Sequence, residues 1–364
     1  MTVFKATHKA VTLLKAKELQ YRSLQTCPPS DNQVQIAIKS VGICGSDIHY
    51  YQHARNGTFA VKEPLVLGHE GAGVVVALGK NVKSLKIGDN VAVEPQVPCR
   101  ACGLCKSGRY NLCREVKFSG SAQTYPHCQG MLQELFCHDE DFVHLLPPEM
   151  SFNEGAMLEP LSVAIQAINH ADIKVGQSVT VIGAGPIGLL CAAVARSAGA
   201  SQVTVVDTRA DRVAFAKSYV ATRIFVVEPK GQGMDDIEYT KETVRTLLST
   251  EGFEEADCVF ECTGAPVCTM LGIHLTSSGG KLVIVGFGVP LQTLDIGYAS
   301  LREVNLVGVF RYANTYPHAI QLVKSKQVDV SRLVTHEFDA SKTDEAFQLA
   351  SKSSDGVIKV VITR

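Results

Sequence analysis

The sequence predicts an α/β fold in two parts, a mostly β unit into which a doubly wound parallel sheet is inserted. Three features carry that reading: the texture changes near residue 160, a glycine-rich turn follows the first strand of the new texture, and the opening texture returns before the end. Up to about Pro160 the chain offers short β-rich runs, Val34 to Ile38, Gly73 to Leu78 and Asn90 to Val93, set apart by Gly, Pro and Asn clusters. From Val179 strands alternate with helices. VTVIGAG precedes the helical PIGLLCAAVARSAGA, VTVVD precedes RADRVAFAKSYVA, and buried strands follow at CVFEC and GKLVIVG. After about Leu301 short strands come back with a helical YPHAIQLVKSK and a closing strand in GVIKVVITR. The expected domains are therefore residues 1–160 with 300–364, completed by the C-terminal tail, and an inserted unit at 161–299. At 364 residues the chain has room for about two domains of roughly 150 each.

Composition narrows the function classes. With 46% hydrophobic and 20% charged residues the chain is not disordered, and 35 Lys+Arg against 36 Asp+Glu give a net charge of −1. No global field draws it to nucleic acid or an anionic membrane, so a small-molecule partner is expected. The uncharged run from Val179 to Ala195 is broken by Gly183, Gly185, Pro186 and Gly188 and reads as strand, turn and helix start, not as a membrane span. The start, MTVFKATHKA, lacks a signal peptide's apolar stretch, and VITR matches no retention or lipidation signal, which predicts a cytoplasmic, reducing setting. Twelve cysteines are too thin for a disulfide scaffold, and four of them crowd into fifteen residues.

Gly183-Ala-Gly185-Pro186-Ile187-Gly188 lies between a strand and an Ala-rich helix, the setting in which such a motif binds a dinucleotide. The glycines allow the turn and the approach of a pyrophosphate, and the helix N-terminus supplies partial positive charge. Asp207, nineteen residues beyond Gly188, can accept both hydrogens of a ribose diol and repel a 2′-phosphate, favouring NAD, while Arg209 and Arg212 soften that preference. Cys258, Cys262 and Cys268 flank a buried strand and read as packing residues.

Two metal sites of different kinds are expected. Cys99-x2-Cys102-x2-Cys105-x7-Cys113 offers four thiolates from one loop, enough to close a tetrahedral zinc site without water. An iron–sulfur centre would bring its fourth cysteine closer, and redox CxxC chemistry would need a βαβ setting. Saturated coordination assigns this zinc to folding or interface work. Cys44, His69 and Glu70 combine one soft and two harder donors, suited to a catalytic zinc with an open position. Singly they read as a buried Cys, a core His and a solvated Glu; ahead of a nucleotide unit they read together as ligands.

With these residues in place, the chain resembles the zinc-dependent medium-chain dehydrogenases over essentially its whole length. The family's zinc signature stands as Gly68-His69-Glu70-x2-Gly73-x5-Gly79-x2-Val82, followed in order by the four-Cys lobe and the nucleotide fingerprint. Cys44-Gly-Ser-Asp-Ile-His-Tyr50, Glu159-Pro-Leu-Ser-Val-Ala and Phe310-Arg-Tyr312-Ala-Asn-Thr-Tyr-Pro are similar to the polyol branch of sorbitol, xylitol and L-arabinitol dehydrogenases. The resemblance implies a GroES-like catalytic domain, a Rossmann domain, and two zinc ions and one NAD per chain. It implies Cys44, His69 and Glu70 as catalytic-zinc ligands with Glu159 beside them, and Tyr50, Glu159, Arg311 and Tyr312 facing the substrate. Cofactor contacts are implied at Gly183, Gly185, Pro186, Ile187, Gly188, Asp207 and Arg212, and at Val285, Gly286, Phe287, Val309, Phe310 and Arg311. A homo-oligomer, dimer or tetramer, is the family's habit.

The reaction so implied moves hydride from a secondary hydroxyl of an acyclic polyol to NAD, with Ser46 and His49 relaying the proton and Glu159 among the catalytic groups. The stretch Phe118-Ser-Gly-Ser-Ala-Gln-Thr-Tyr-Pro-His127-Cys-Gln-Gly130 is closer to L-idonate 5-dehydrogenases, so a sugar-acid 5-dehydrogenase is the alternative, Arg311 then serving a carboxylate. A non-catalytic zinc- and nucleotide-binding protein is the alternative of another class.

Overall fold

The computed structural model describes residues 6–352 and 356–364. The chain forms two compact units, residues 1–159 with 313–364 and residues 160–312. The first is built on a seven-stranded sheet. Its order runs Val143–Leu145, Asn90–Val93, Glu70–Leu78, Gln33–Gly42, Lys359–Thr363 and Val334–Asp339, with Leu135–Asp139 also paired to Gln33–Gly42. Apolar residues on Gln33–Gly42 (Val34, Ile36, Ile38) and Leu65 and Leu67 are buried together with Phe347 of the helix Thr343–Ser351. The C-terminal strand Lys359–Thr363 lies antiparallel beside Gln33–Gly42, so the last residues of the chain complete the first unit.

That central strand explains the site. Gln33–Gly42 has Glu70–Leu78 on one side, with Gly42 opposite Glu70, and Lys359–Thr363 on the other. Gly42 therefore sits between the beginnings of two neighbouring strands, where a side chain would collide with what those strands present.

The second unit is a six-stranded sheet ordered Arg223–Val226, Gln202–Asp207, Ser178–Ile182, Ala256–Glu261, Thr276–Ile284 and Asn305–Gly308, with every neighbouring pair parallel. Its inner strands are near-continuous Val and Ile runs because helices cover both faces of such sheets. The order reverses at Ser178–Ile182, the switch point at which ligands bind beyond the strands' C-terminal ends. The chain returns to the first unit at Ala313 and not near residue 300, because Asn305–Gly308 adds a sixth parallel strand. That strand is four residues long and mostly exposed at the sheet edge, so it lacks the apolar run that marks its neighbours.

Candidate active site

Cys44, His69 and Glu70 come together in the first unit, with ligand atoms all within 4.8 Å of one another. Cys44 caps the helix Gly45–His53. Cysteine is a weak cap, and the turn is held instead by Asp47, whose Oδ2 accepts the Cys44 N–H at 3.0 Å. The other Asp47 oxygen accepts the Gly68 N–H at 3.1 Å and lies 3.5 Å from His69 Nδ1. One carboxylate thus fixes the cysteine's turn, the approach to the histidine and the ring itself, leaving His69 Nε2 for a metal. Burial alone would raise the Asp47 carboxyl, yet His69 and the backbone N–H groups hold it below the ordinary value. Burial would likewise lower His69, but Asp47 and Cys44 override it and raise the imidazole well above normal. The surroundings favour a positive charge at this ring, and a divalent cation on three such donors supplies it.

Glu70 is tied to a residue that sequence reasoning missed. Lys359, itself 3% exposed, donates from Nζ to Glu70 Oε1 at 2.6 Å and also lies against Oε2. Burial would lower this lysine, but Glu70, then Cys44 and Glu159, raise it. Gly42 makes the pair possible: a Cβ there would stand 2.0 Å from Glu70 Oε2 and 3.1 Å from Lys359 Cε. The signal was a single lysine within the apolar strand VIKVVI, since a buried lysine needs a partner. Glu159, buried in the first turn of the helix Leu158–Ala171, contributes to the same field.

The four-cysteine lobe is a second cluster in the same unit. Cys102 Sγ lies 3.4 Å and Cys99 Sγ 3.9 Å from Cys105 Sγ, close to the ~3.8 Å edge of a tetrahedron with bonds of about 2.3 Å. Backbone N–H groups of Ala101 and Cys102 lower the Cys99 thiol to about 7, whereas burial and the neighbouring thiols push Cys105 up to about 12. Four thiols so close cannot all ionise without a cation among them, and the donor set fits zinc.

Ser46, His49 and Tyr50 lie on the helix that Cys44 caps. Ser46 is half-buried and His49 exposed, its ring stacked on His53 at 6.3 Å. Tyr50 is buried, with its hydroxyl 3.3 Å from Ser121 Oγ and accepting the Ala122 N–H at 3.0 Å, so it also anchors the segment from Phe118 to Gly130. Arg311 and Tyr312 belong to the second unit, where Arg311 has a left-handed backbone and its guanidinium covers the Phe310 ring at 4.7 Å.

In the second unit the glycine-rich turn leads from Ser178–Ile182 into the helix Pro186–Ser197, with Gly185 as its cap. Gly183 has φ +102°, and a Cβ on Gly188 would fall 1.8 Å from the Gly183 carbonyl, so both positions require glycine. Asp207 accepts the Ala184 N–H at 2.6 Å and the Arg209 N–H at 2.9 Å. It lines a cavity of about 350 Å³ with Gly183, Thr208, Thr263 and Ala265, of a size and position for the adenosine half of a dinucleotide. Arg209 is paired to Asp211 at 2.7 Å, and Arg212 Nη1 lies 3.8 Å from the place of a Gly185 Cβ. Val285, Gly286 and Phe287 follow Thr276–Ile284, and Val309 and Phe310 follow Asn305–Gly308, all beyond the C-terminal ends of parallel strands. Cys191 and Cys258 are buried, and burial also raises the Cys258 thiol to about 12 and Cys268 to about 11, which fits packing.

Residues 30–148 match the alcohol dehydrogenase GroES-like domain, and residues 186–325 match the zinc-binding dehydrogenase model. The chain belongs to the zinc-binding medium-chain dehydrogenases. Within that family it falls in the polyol branch. It is 44% identical to sorbitol dehydrogenase of Rattus norvegicus over 88% of this chain and 86% of the relative. It is 40% identical to the probable D-xylulose reductase A of Aspergillus terreus over 86% of each. Among solved structures, L-idonate 5-dehydrogenase of Escherichia coli superposes with a TM-score of 0.87 at 26% identity, covering 98% of both chains. A zinc-binding dehydrogenase needs a metal site and a nucleotide turn, and the two units carry one each.

Proposed function

We propose that the protein oxidises a secondary hydroxyl of an acyclic polyol to the ketose, with NAD as hydride acceptor. The observation that carries the reading is the Cys44–His69–Glu70 donor set, its histidine and glutamate buried and oriented by Asp47 and Lys359, in a chain whose other unit holds the Asp207 cavity. Cys44, His69 and Glu70 would hold a zinc ion that would supply Lewis-acid polarisation of the substrate hydroxyl, and the glycine turn with Asp207 would hold the NAD that would serve as hydride acceptor. Thiolate, neutral imidazole and carboxylate sum to two negative charges, and Lys359 offsets part of the field from Glu159. Ser46 and His49 move the hydroxyl proton to solvent along the exposed side of the helix Gly45–His53. Partial burial and then His53 hold His49 below the ordinary imidazole value, so it is neutral near pH 7 and free to take that proton. Tyr50, Glu159, Arg311 and Tyr312 recognise the substrate's neighbouring hydroxyls, and a substrate lacking one of them leaves a buried group unpaired.

NAD is preferred over NADP because the Asp207 carboxylate that lines the cavity would repel a 2′-phosphate, and Arg209 is already paired to Asp211. A sugar-acid 5-dehydrogenase is the second reading, favoured by the segment from Phe118 to Gly130. The test is NAD reduction on D-sorbitol, xylitol, L-arabinitol, galactitol and L-idonate at matched concentrations, repeated with NADP. Turnover on L-idonate alone would replace the polyol reading. Metal analysis should find two zinc ions per chain, and one zinc with no activity on any of these would favour a binding protein.

The protein works as a homo-oligomer, dimer or tetramer. The exposed edge strand Asn305–Gly308, with Leu301 and Leu291 each 89% exposed in the same unit, supports this. Light scattering on the purified protein tests it, and a monomer at micromolar concentration would refute it. A cytoplasmic, reducing location agrees with twelve cysteines none of which is paired in a disulfide; no helix among the described residues is long and apolar enough to cross a membrane.

A further inference from the structure

Between Cys105 and Cys113 the lobe carries two groups that reach a segment far along the chain. Asn314 donates its backbone N–H to the Tyr110 hydroxyl at 2.7 Å, and its Nδ2 to the Gly108 carbonyl at 2.9 Å. The Tyr110 hydroxyl donates in turn to Glu94 Oε1 at 2.8 Å. Glu94 is buried; it also accepts from Gln96 Nε2 and meets His144 Nε2, each at 3.0 Å. Two residues beyond Asn314, the ring of Tyr316 stacks on His144 at 4.7 Å and its hydroxyl donates to the Val93 carbonyl at 2.8 Å. Asn314 has φ +58°, a left-handed backbone that asparagine adopts more readily than other non-glycine residues.

We propose that the four-cysteine lobe is a positioning device for the segment Ala313–Tyr316, with Tyr110 and Gly108 fixing Asn314 and thereby the path of Arg311 and Tyr312 just before it. The inference rests on the polyol reading in one respect, that Arg311 and Tyr312 recognise substrate. Gly108 and Tyr110 lie within the seven residues enclosed by Cys105 and Cys113, so the thiolate cluster sets their placement. Asn314 stands three residues from Arg311 and two from Tyr312, too few for the backbone to absorb a shift. Burial and Glu94 hold the Tyr110 phenol well above its ordinary value, so it keeps the proton that it donates. Tyr110 and Asn314 are thus positioning residues, acting on substrate only through the residues beside Asn314.

Two variants test this. Tyr110→Phe deletes one hydroxyl, and Asn314→Gly keeps the left-handed backbone while removing the bond to Gly108 and leaving the partners of Glu94 in place. For each, KM and kcat are measured on xylitol and on 2,3-butanediol, with zinc per chain and amide exchange of residues 311–316. The expected result is a KM for xylitol raised about tenfold, kcat within about twofold, and a KM for the small diol changed by less than about twofold. Both zinc ions stay, and the Asn314 amide exchanges faster in Tyr110→Phe. Equal KM losses on both substrates, a fall in kcat alone, or an unchanged xylitol KM despite a faster Asn314 amide would overturn the proposal. If the unaltered protein oxidises no polyol, the substrate reading fails by itself. Positioning is then judged on amide exchange across 311–316, which must rise in Tyr110→Phe and in Cys102→Ser, and unchanged exchange overturns it.

Discussion

The two cysteine-bearing clusters of the first unit reach their geometry by opposite routes. The lobe takes all four donors from fifteen consecutive residues, and its order is local: backbone N–H groups of Cys99 and Cys102 point at the sulfurs of Cys113 and Cys99, each at 3.4 Å. Cys44, His69 and Glu70 come from a helix cap and the start of a strand, and their order comes from Asp47 and from Lys359, 289 residues beyond Glu70. A local cluster of like donors needs little besides its metal, whereas an open site of unlike donors needs the surrounding fold to hold each donor and balance its charge. Variants at the two clusters should therefore fail differently.

Cys44→Ser should show the largest effect. Loss of the thiolate removes the softest donor and half of the charge that matches a divalent cation, so kcat/KM should fall by about a thousandfold or more, the equivalent of about 4 kcal/mol. Metal analysis should find one zinc per chain, held in the lobe. Two retained zinc ions with unchanged turnover would remove Cys44 from the site.

Lys359→Met comes next and acts on stability. It leaves the Glu70 carboxylate, 1% exposed, without its cation, and breaking a buried pair from one side costs about 3–5 kcal/mol. Chemical denaturation in the presence of a chelator reads this directly, and the double variant Lys359→Met with Glu70→Gln should recover most of the loss. The lobe has no counterpart, because Arg100 is half-exposed and paired to Asp139 and Asp141 at the surface.

The difference between the clusters also separates what the sequence made legible from what it did not. The cysteine spacing, the glycine turn and Asp207 were readable because each is a local pattern whose chemistry needs only its neighbours. Lys359 and Gly42 were not, since their roles exist only once the strands Glu70–Leu78, Gln33–Gly42 and Lys359–Thr363 are in register. The helix Gly45–His53 was hidden because its cap residue is a cysteine and the stabilising acceptor is the Asp47 side chain three residues on. Asn305–Gly308 escaped because it is a short edge strand, and its assignment to the parallel sheet moved the second unit's end from 299 to 312.

Ser46→Ala probes the open site without touching its donors. If Ser46 passes the substrate proton toward His49, kcat should fall about a hundredfold, at the lower end for proton-transfer groups, with both zinc ions and the stability curve unchanged. A solvent isotope effect that shrinks in the variant would mark the serine as structural instead, because a broken relay makes proton transfer more rate-limiting, not less.

Cys102→Ser should have the smallest effect on turnover. Its sulfur is 3.4 Å from Cys105 Sγ, so the substitution breaks the four-thiolate set while the donors around Cys44 keep Asp47 and Lys359 as their supports. One zinc should be lost, and thermal or denaturant stability should fall by about 2 kcal/mol or more as the lobe's folding energy goes with it. At saturating substrate the kcat of the folded fraction should stay within about threefold, while KM for polyols rises along with amide exchange around Asn314. A collapse of kcat equal to that of Cys44→Ser would mean that the two clusters are not separable, and that the lobe supports the chemistry and not only the chain that recognises the substrate.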